Sequence, residues 1–261
     1  MIKDFIKKFV RRYRILPVYW LYHFLKWVPL AVKYNVNYFS KLGELTDNRF
    51  ESSWSLRWPC LYDATPTTGF DPHYIYHTSW AARVVVRINP EYHVDLSSSL
   101  YFVSIASAFI PVRCYDYRPA EIRLTGLECG RADITNLPFE DNSIKSLSCM
   151  HVMEHIGLGR YGDPFDPKGD LRGISEMIRV LAPEGNLLFV VPVGGVPKLQ
   201  FNAHRIYTYR QIKEYFRSLE LEEFSLVTDK GSFVENASED DSNQQAYGCG
   251  CFWFKKTAKA N

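Results

Sequence analysis

From His77 onward, apolar positions recur with two alternating periods, one near 3.6 residues and one near 2. Each change of period marks a new element. HTSWAARVVVRI predicts a helix that leads into a first strand in NPEYHVDLS. LYFVSIASAF predicts a second helix, VRCYDY a second strand, a third strand precedes GRADITNLPF, and SIKSLSCMH is a fourth. In LRGISEMIRVLAP, Leu171, Ile174, Met177, Ile178 and Leu181 fall on one helical face. The turn EGN then opens LLFVVPV, a near-continuous apolar run that suits a central parallel strand covered on both faces. TYRQIKEYFRSL predicts a further helix, and LEEFSLVTDK and YGCGCFWFKK the last two of seven strands. Strand–helix alternation of this kind predicts an α/β fold, a doubly wound sheet with ligands at the C-terminal ends of its strands.

The first 76 residues follow another pattern. Residues 1–45 predict a helical basic arm. Phe5, Ile6, Phe9 and Val10 make one apolar face of its first helix, opposite Lys and Arg. Residues 15–32 are apolar over a length that approaches a membrane span. His23, Lys26, Pro17 and Pro29 lie inside that stretch and argue against crossing. The basic region is too long for a secretory leader, and no small-residue cleavage site follows it. Nine Lys and Arg stand against the single acid Asp4 in residues 1–41, whereas 22 of the 31 basic and 28 of the 29 acidic residues lie in the remainder. With Tyr19, Trp20, Tyr22 and Trp27 suited to a headgroup layer, the arm predicts contact with an anionic membrane face rather than with nucleic acid. Docking of the arm on the protein's own body is the competing expectation. Residues 46–76 carry Pro, Gly, Asp and Thr signals without a period and predict an irregular lid or substrate segment. Residues 77–261 are the regular domain.

Candidate chemistry concentrates where the predicted strands end. Asp95 closes the first strand, and Ser97, Ser98 and Ser99 occupy a corner where nucleotide-binding folds place glycines. Asp116 ends the second strand and Asp133 follows the third. His151-Val-Met-Glu154-His155 has the spacing of a zinc-protease motif, but it begins just after a strand and glycines 157 and 159 soon interrupt it. His73 and His77 have a spacing that shares one helical face, and packing explains it as well as a metal does. Cys249-Gly-Cys251 lacks the second pair of a zinc knuckle, and the six cysteines read as free thiols. No metal site is expected. Asp163, Asp166 and Asp170 lie in GRYGDPFDPKGD, a turn-rich loop that suits either sugar hydroxyls or a divalent cation, or simply solvent.

The order of elements and the stretch ADITNLPFEDNSIKSLSCMHVMEHI … LAPEGNLLFVVP resemble class I S-adenosylmethionine-dependent methyltransferases over about residues 77–254. HVDLSSSLYF, CYDYRPAEI, CMHVMEHIGLGRYGD, FNAHRI and YGCGCFWF more narrowly resemble a methyltransferase-like family associated with bacterial surface-polysaccharide genes. The resemblance implies a Rossmann-like seven-stranded sheet and S-adenosylmethionine as cofactor. It implies that Asp95, Ser97, Ser99, Asp116, Asp133 and His151 hold the cofactor. Asp116 would take the ribose hydroxyls and Asp133 the adenine amino group. His155 and His204 are then candidates to remove the acceptor's proton, with Arg205 orienting the acceptor. The expected activity is O-methylation of a glycan or lipid-linked glycan in surface-polysaccharide biosynthesis, in the cytoplasm on the inner face of the membrane. Two alternatives stay open: a non-methylating relative that binds a glycan or nucleotide, and a metal-dependent hydrolase.

Overall fold

The strand signals of the regular domain close into one eight-stranded sheet in a computed structural model that describes residues 16–41 and 49–258. In chain order the strands are β1 (His93–Leu96), β2 (Val112–Asp116), β3 (Leu127–Arg131), β4 (Ile144–Met150), β5 (Leu181–Val193), β8 (Glu220–Val227), β9 (Phe233–Val234) and β10 (Gly248–Lys255). A separate hairpin pairs β6 (Lys198–Gln200) with β7 (His204–Ile206). The spatial order is β3-β2-β1-β4-β5-β10-β8-β9. β3 through β5 run parallel, and β10 lies antiparallel to both β5 and β8. Strand order reverses between β1 and β4, which opens a crevice at their C-terminal ends. The eighth strand departs from the seven expected. β9 pairs only Phe233 and Val234 with β8, too short a run to show a period.

Helices cover the sheet because their apolar faces have nowhere else to go. α2 (Pro72–Ile88) begins five residues earlier than the period at His77 suggests. Asp71 caps it by accepting the Tyr74 N–H at 3.3 Å, and Pro72 supplies a preset first turn. Trp80, Ala81, Val84 and Val85 form its buried stripe. Each such large side chain contributes about 1.5–3 kcal/mol on burial. α3 (Leu100–Ala106) follows the serine corner, α4 (Gly169–Val180) precedes β5, and the short helices α5 (Tyr209–Tyr215) and α6 (Glu239–Asn243) complete the domain. Gly173 of α4 is needed for close approach. A Cβ there would lie 2.8 Å from Met153 Cε, so a larger residue would have to push aside the end of the methionine side chain that the 3-10 turn Met153–His155 lays on the helix.

The chain divides between Gly69 and Phe70 into two units. In the first, α1 (Leu16–Lys41) is one continuous helix with Pro29 inside it, since a proline forfeits only one backbone bond of a long ladder. Leu21, Leu25, Val28, Val32, Val36 and Phe39 recur every three or four residues and are all exposed. At about 100° per residue Lys26 and Lys33 flank one side of that stripe and Lys41 lies opposite it. Phe39 stacks on Trp54 at 5.2 Å. No described helix is long and apolar enough to cross a membrane. The expected face at Phe5, Ile6, Phe9 and Val10 lies outside the described residues.

Candidate active site

The crevice at the β1/β4 reversal holds a cavity of about 320 Å³, within the range of small-molecule sites. Its walls come from the serine corner, the ends of β2, β3 and β4, and the loop before α4. Ser97, Ser98 and Ser99 all line it, and the hydroxyls of Ser97 and Ser98 are bonded to the protein's own backbone. Ser97 takes a left-handed conformation, φ 58°, the geometry for which glycine is usually chosen. Its Oγ donates to the Tyr115 carbonyl at 3.3 Å. The Ser98 Oγ accepts the Met150 N–H at 3.0 Å, which ties the corner to β4. Ser99 stands at the N-cap position of α3 with no side-chain capping bond. A serine corner is therefore compatible with an open floor.

Asp116 and Asp133 line the same cavity. Asp116 Oδ1 accepts the Arg118 N–H at 2.7 Å. Asp133 Oδ1 accepts the N–H and the hydroxyl of Thr135 at 2.8 and 2.7 Å. In each case one oxygen is used to fix the carboxylate, and no described residue bonds the other. Those oxygens are the acceptors that a ribose diol and an exocyclic amine require. The residues present therefore fit an adenosyl group along these two strand ends.

Three of the expected site residues, Asp95, His204 and Arg205, do not line the cavity. Asp95 does not line the cavity; it is fully buried in the sheet. Its Oδ1 accepts the Ser98 N–H at 3.0 Å and its Oδ2 a short bond from Ser148 Oγ. Ser148 in turn meets His93 Nε2 at 2.8 Å, and His93 Nδ1 meets Ser146 Oγ at 2.8 Å. Burial pushes Asp95 up to about 6 against those bonds, and pushes His93 down to about 3. Asp95 thus braces the corner from behind rather than touching a ligand. Arg205 is a structural clamp. It donates to the Ile156 carbonyl at 2.8 Å and the Pro167 carbonyl at 3.3 Å, and its Nε lies 3.4 Å from Asp170. Its fork is spent on the protein, so it does not orient an acceptor.

Five of the seven histidines gather beyond β4. His151, at φ 57°, and His155 line the cavity; His73, His77 and His204 stand behind them. His155 Nδ1 lies 2.6 Å from the Ala203 carbonyl, which assigns the proton to Nδ1 and leaves Nε2 as the basic nitrogen. Burial lowers His155 from its ordinary value, which favours the neutral ring. His204 does not line the cavity; its ring centroid is 6.1 Å from that of His155, and its Nε2 is buried without a described hydrogen-bond partner. Glu154 is 1% exposed, its Oε1 lies 2.9 Å from His151 Nδ1, and burial raises it to about 7. His151 falls to about 4 for the same reason. The His151–His155 motif lies on a 3-10 turn, not on the long helix that a zinc protease uses.

Cys249, set aside in the sequence for want of a second cysteine pair, has its Sγ 3.3 Å from His151 Nε2. Sequence reasoning passed over Arg118 and Tyr161, which line the cavity with the guanidinium 5.2 Å from the ring centroid. The loop acids organise their own backbone. Asp163 accepts the N–H groups of Gly157, Gly159 and Tyr161, and Asp170 accepts the Tyr207 hydroxyl at 2.9 Å.

Residues 90–189 match the family described as "Methyltransferase domain", and residues 140–246 match one described as "Caenorhabditis protein of unknown function, DUF268". No curated protein matches the chain. Among solved structures, a chain from the Haloferax volcanii complex of the Trm112 methyltransferase activator with a methyltransferase aligns at 17% identity and a TM-score of 0.51. The alignment covers 73% of this chain and 92% of that one. The [4+2]-cyclase SpnF aligns at 13% identity and 0.51, covering 69% and 82%. A Galdieria sulphuraria protein described as a sarcosine dimethylglycine methyltransferase aligns at 12% identity and 0.50, covering 70% and 86%. Identities this low establish a common fold, and a fold shared with a cyclase leaves the reaction to be argued from the site.

Proposed function

We propose that this chain, which carries a class I S-adenosylmethionine-dependent methyltransferase domain, methylates a hydroxyl of a glycan or lipid-linked glycan. S-adenosylmethionine supplies the transferable methyl as a sulfonium electrophile, so the protein's task is placement and proton removal. Asp116 accepts the ribose hydroxyls and Asp133 the adenine amino group. The serine corner bounds the cavity beside them. His155 Nε2 takes the acceptor's proton as the new O–C bond forms. Arg118, carried beside Tyr161 on the cavity wall, pairs with an anionic group of the acceptor, such as the diphosphate of a lipid-linked sugar. The exposed apolar stripe of α1, flanked by its lysines, holds the enzyme on an anionic membrane face where such an acceptor resides. This reading places the work in the cytoplasm, in surface-polysaccharide synthesis.

The observation that carries the reading is the meeting of Asp116, Asp133, the serine corner and His155 on one cavity. Calorimetry of the full chain with S-adenosylhomocysteine tests the cofactor half, and folded protein that gives no heat at millimolar ligand would overturn it. Transfer of labelled methyl to lipid-linked and free glycans tests the rest. His155→Ala is expected to lower turnover by about 10²–10⁴ while leaving S-adenosylhomocysteine affinity unchanged.

A further inference from the structure

The histidine cluster contains more than an acceptor base. His151 points one nitrogen at Cys249 Sγ, 3.3 Å away, and the other at the Glu154 carboxylate, 2.9 Å away. A ring nitrogen of His73 lies within 4.8 Å of both the His151 nitrogen and the Cys249 sulfur. The three residues come from the first turn of α2, the end of β4 and the start of β10. The sheet order brings these distant segments together, so no local sequence spacing announces them.

We propose that His73, His151 and Cys249 bind one divalent transition-metal ion of the zinc type. Bonds of about 2.0–2.3 Å to a tetrahedral ion set neighbouring ligand atoms about 3.4–3.6 Å apart. The Cys249–His151 pair already stands within a few tenths of an ångström of that spacing. His73, half-buried and stacked on His151 with centroids 5.6 Å apart, needs only a side-chain rotation of about 1 Å to join. Glu154 supplies the outer support that metal-bound histidines take: a carboxylate on the far ring nitrogen, fixing tautomer and orientation.

Charge gives the second argument. Glu154 is 1% exposed, and its Oε2 is buried with no hydrogen-bond partner among the described residues. A buried carboxylate in that state lacks compensation. A divalent ion with the Cys249 thiolate and the Glu154 carboxylate sums to zero, so the occupied site carries no net charge. On binding, the thiol proton leaves to solvent and the S–H bond is replaced by an S–metal bond. Three protein ligands leave one tetrahedral position for water or an acceptor atom, the arrangement of reactive rather than closed zinc sites. His151 lies on the cavity wall, so that position adjoins the proposed methyl-acceptor site.

The test is a titration of the full chain, freed of metal by chelator, with Co²⁺ alone. One equivalent is expected to bring up a thiolate-to-cobalt charge-transfer band and the visible bands of a tetrahedral ion. Cys249→Ser is expected to remove the charge-transfer band. Cys60→Ser, at an exposed thiol, leaves it intact. His73→Ala, a half-buried position whose loss leaves the sheet untouched, weakens cobalt affinity at least tenfold, and Glu154→Gln weakens it about ten- to hundredfold. Folded wild-type protein without a charge-transfer band overturns the proposal, as does the same band in Cys249→Ser or an unchanged affinity in His73→Ala. None of these readouts requires methyl transfer or S-adenosylmethionine, so failure here and failure of the methyltransferase reading are seen separately.

Discussion

Replacing Asp95 by Asn separates the brace behind the serine corner from the cavity itself. Burial raises this carboxyl from 3.8 to about 6. The folded protein therefore holds the proton more tightly than the unfolded chain does. A raised carboxyl of this kind contributes stability that is complete below pH 4. That stability is lost as pH rises through 6. Two pH units at about 1.36 kcal/mol each make the ramp about 3 kcal/mol. Asn cannot titrate, keeps an oxygen for the Ser98 N–H, and turns a donor toward Ser148. Urea denaturation of both proteins at half-unit steps from pH 4 to 7.5 measures the difference. Relative to wild type, Asp95→Asn should gain about 3 kcal/mol between the ends of that window. Carboxyls such as Glu176 and Glu223, lowered from their ordinary value, titrate alike in both proteins and cancel. A difference that stays flat within about 0.5 kcal/mol would refute the reasoning, because Asp95 would then be solvated or already neutralised.

Asp116→Ala removes charged acceptors from the second strand end and should weaken S-adenosylhomocysteine binding about ten- to hundredfold, at about 1.5–3 kcal/mol per charged hydrogen bond; calorimetry reads it. Gly157→Ala should destabilise the fold by about 3 kcal/mol in a thermal melt, because Gly157 has φ 76° and a Cβ there would sit 2.0 Å from the Asp166 carbonyl oxygen. Val32→Glu, in the middle of the exposed stripe of α1, should cut co-sedimentation with phosphatidylglycerol vesicles about tenfold or more while leaving cofactor affinity unchanged.

The elements with strong periods were legible from residues alone. In LRGISEMIRVLAP, Ile174 and Met177 carry the buried helical spacing of α4, whereas Leu171 is exposed and Leu181 already opens β5, which takes in the expected turn EGN before the doubly covered run LLFVVPV. That Asp116 and Asp133 line the cavity was legible because a strand end fixes where a side chain must be. Asp95 was placed at the right corner but on the wrong side. Within a sheet covered on both faces, burial alone does not say which polar residue turns inward. A trace of the answer was present: His93 and Asp95 alternate on β1, as Ser146 and Ser148 do on β4, which is the pattern of one shared inner face. His204 and Arg205 are neighbours on β7, so their side chains leave opposite sides of the hairpin and do not share one role. Cys249 was set aside on local spacing for a different reason. Its partners lie 98 and 176 residues back in the chain, and only the crossing of β10 into the sheet brings them near.

That crossing also bears on how the protein is made. β10 is threaded between β5 and β8, and both of its edges are hydrogen-bonded along nearly its whole length. While a ribosome is still translating β8, the apolar run of β5 has a naked flank that nothing yet synthesised can cover. A nascent chain in that state displays a sticky seam, the kind of surface that recruits chaperones or captures the matching ribbon of a neighbouring molecule. Entry of β10 is thus the step that joins β5 to β8 in one sheet.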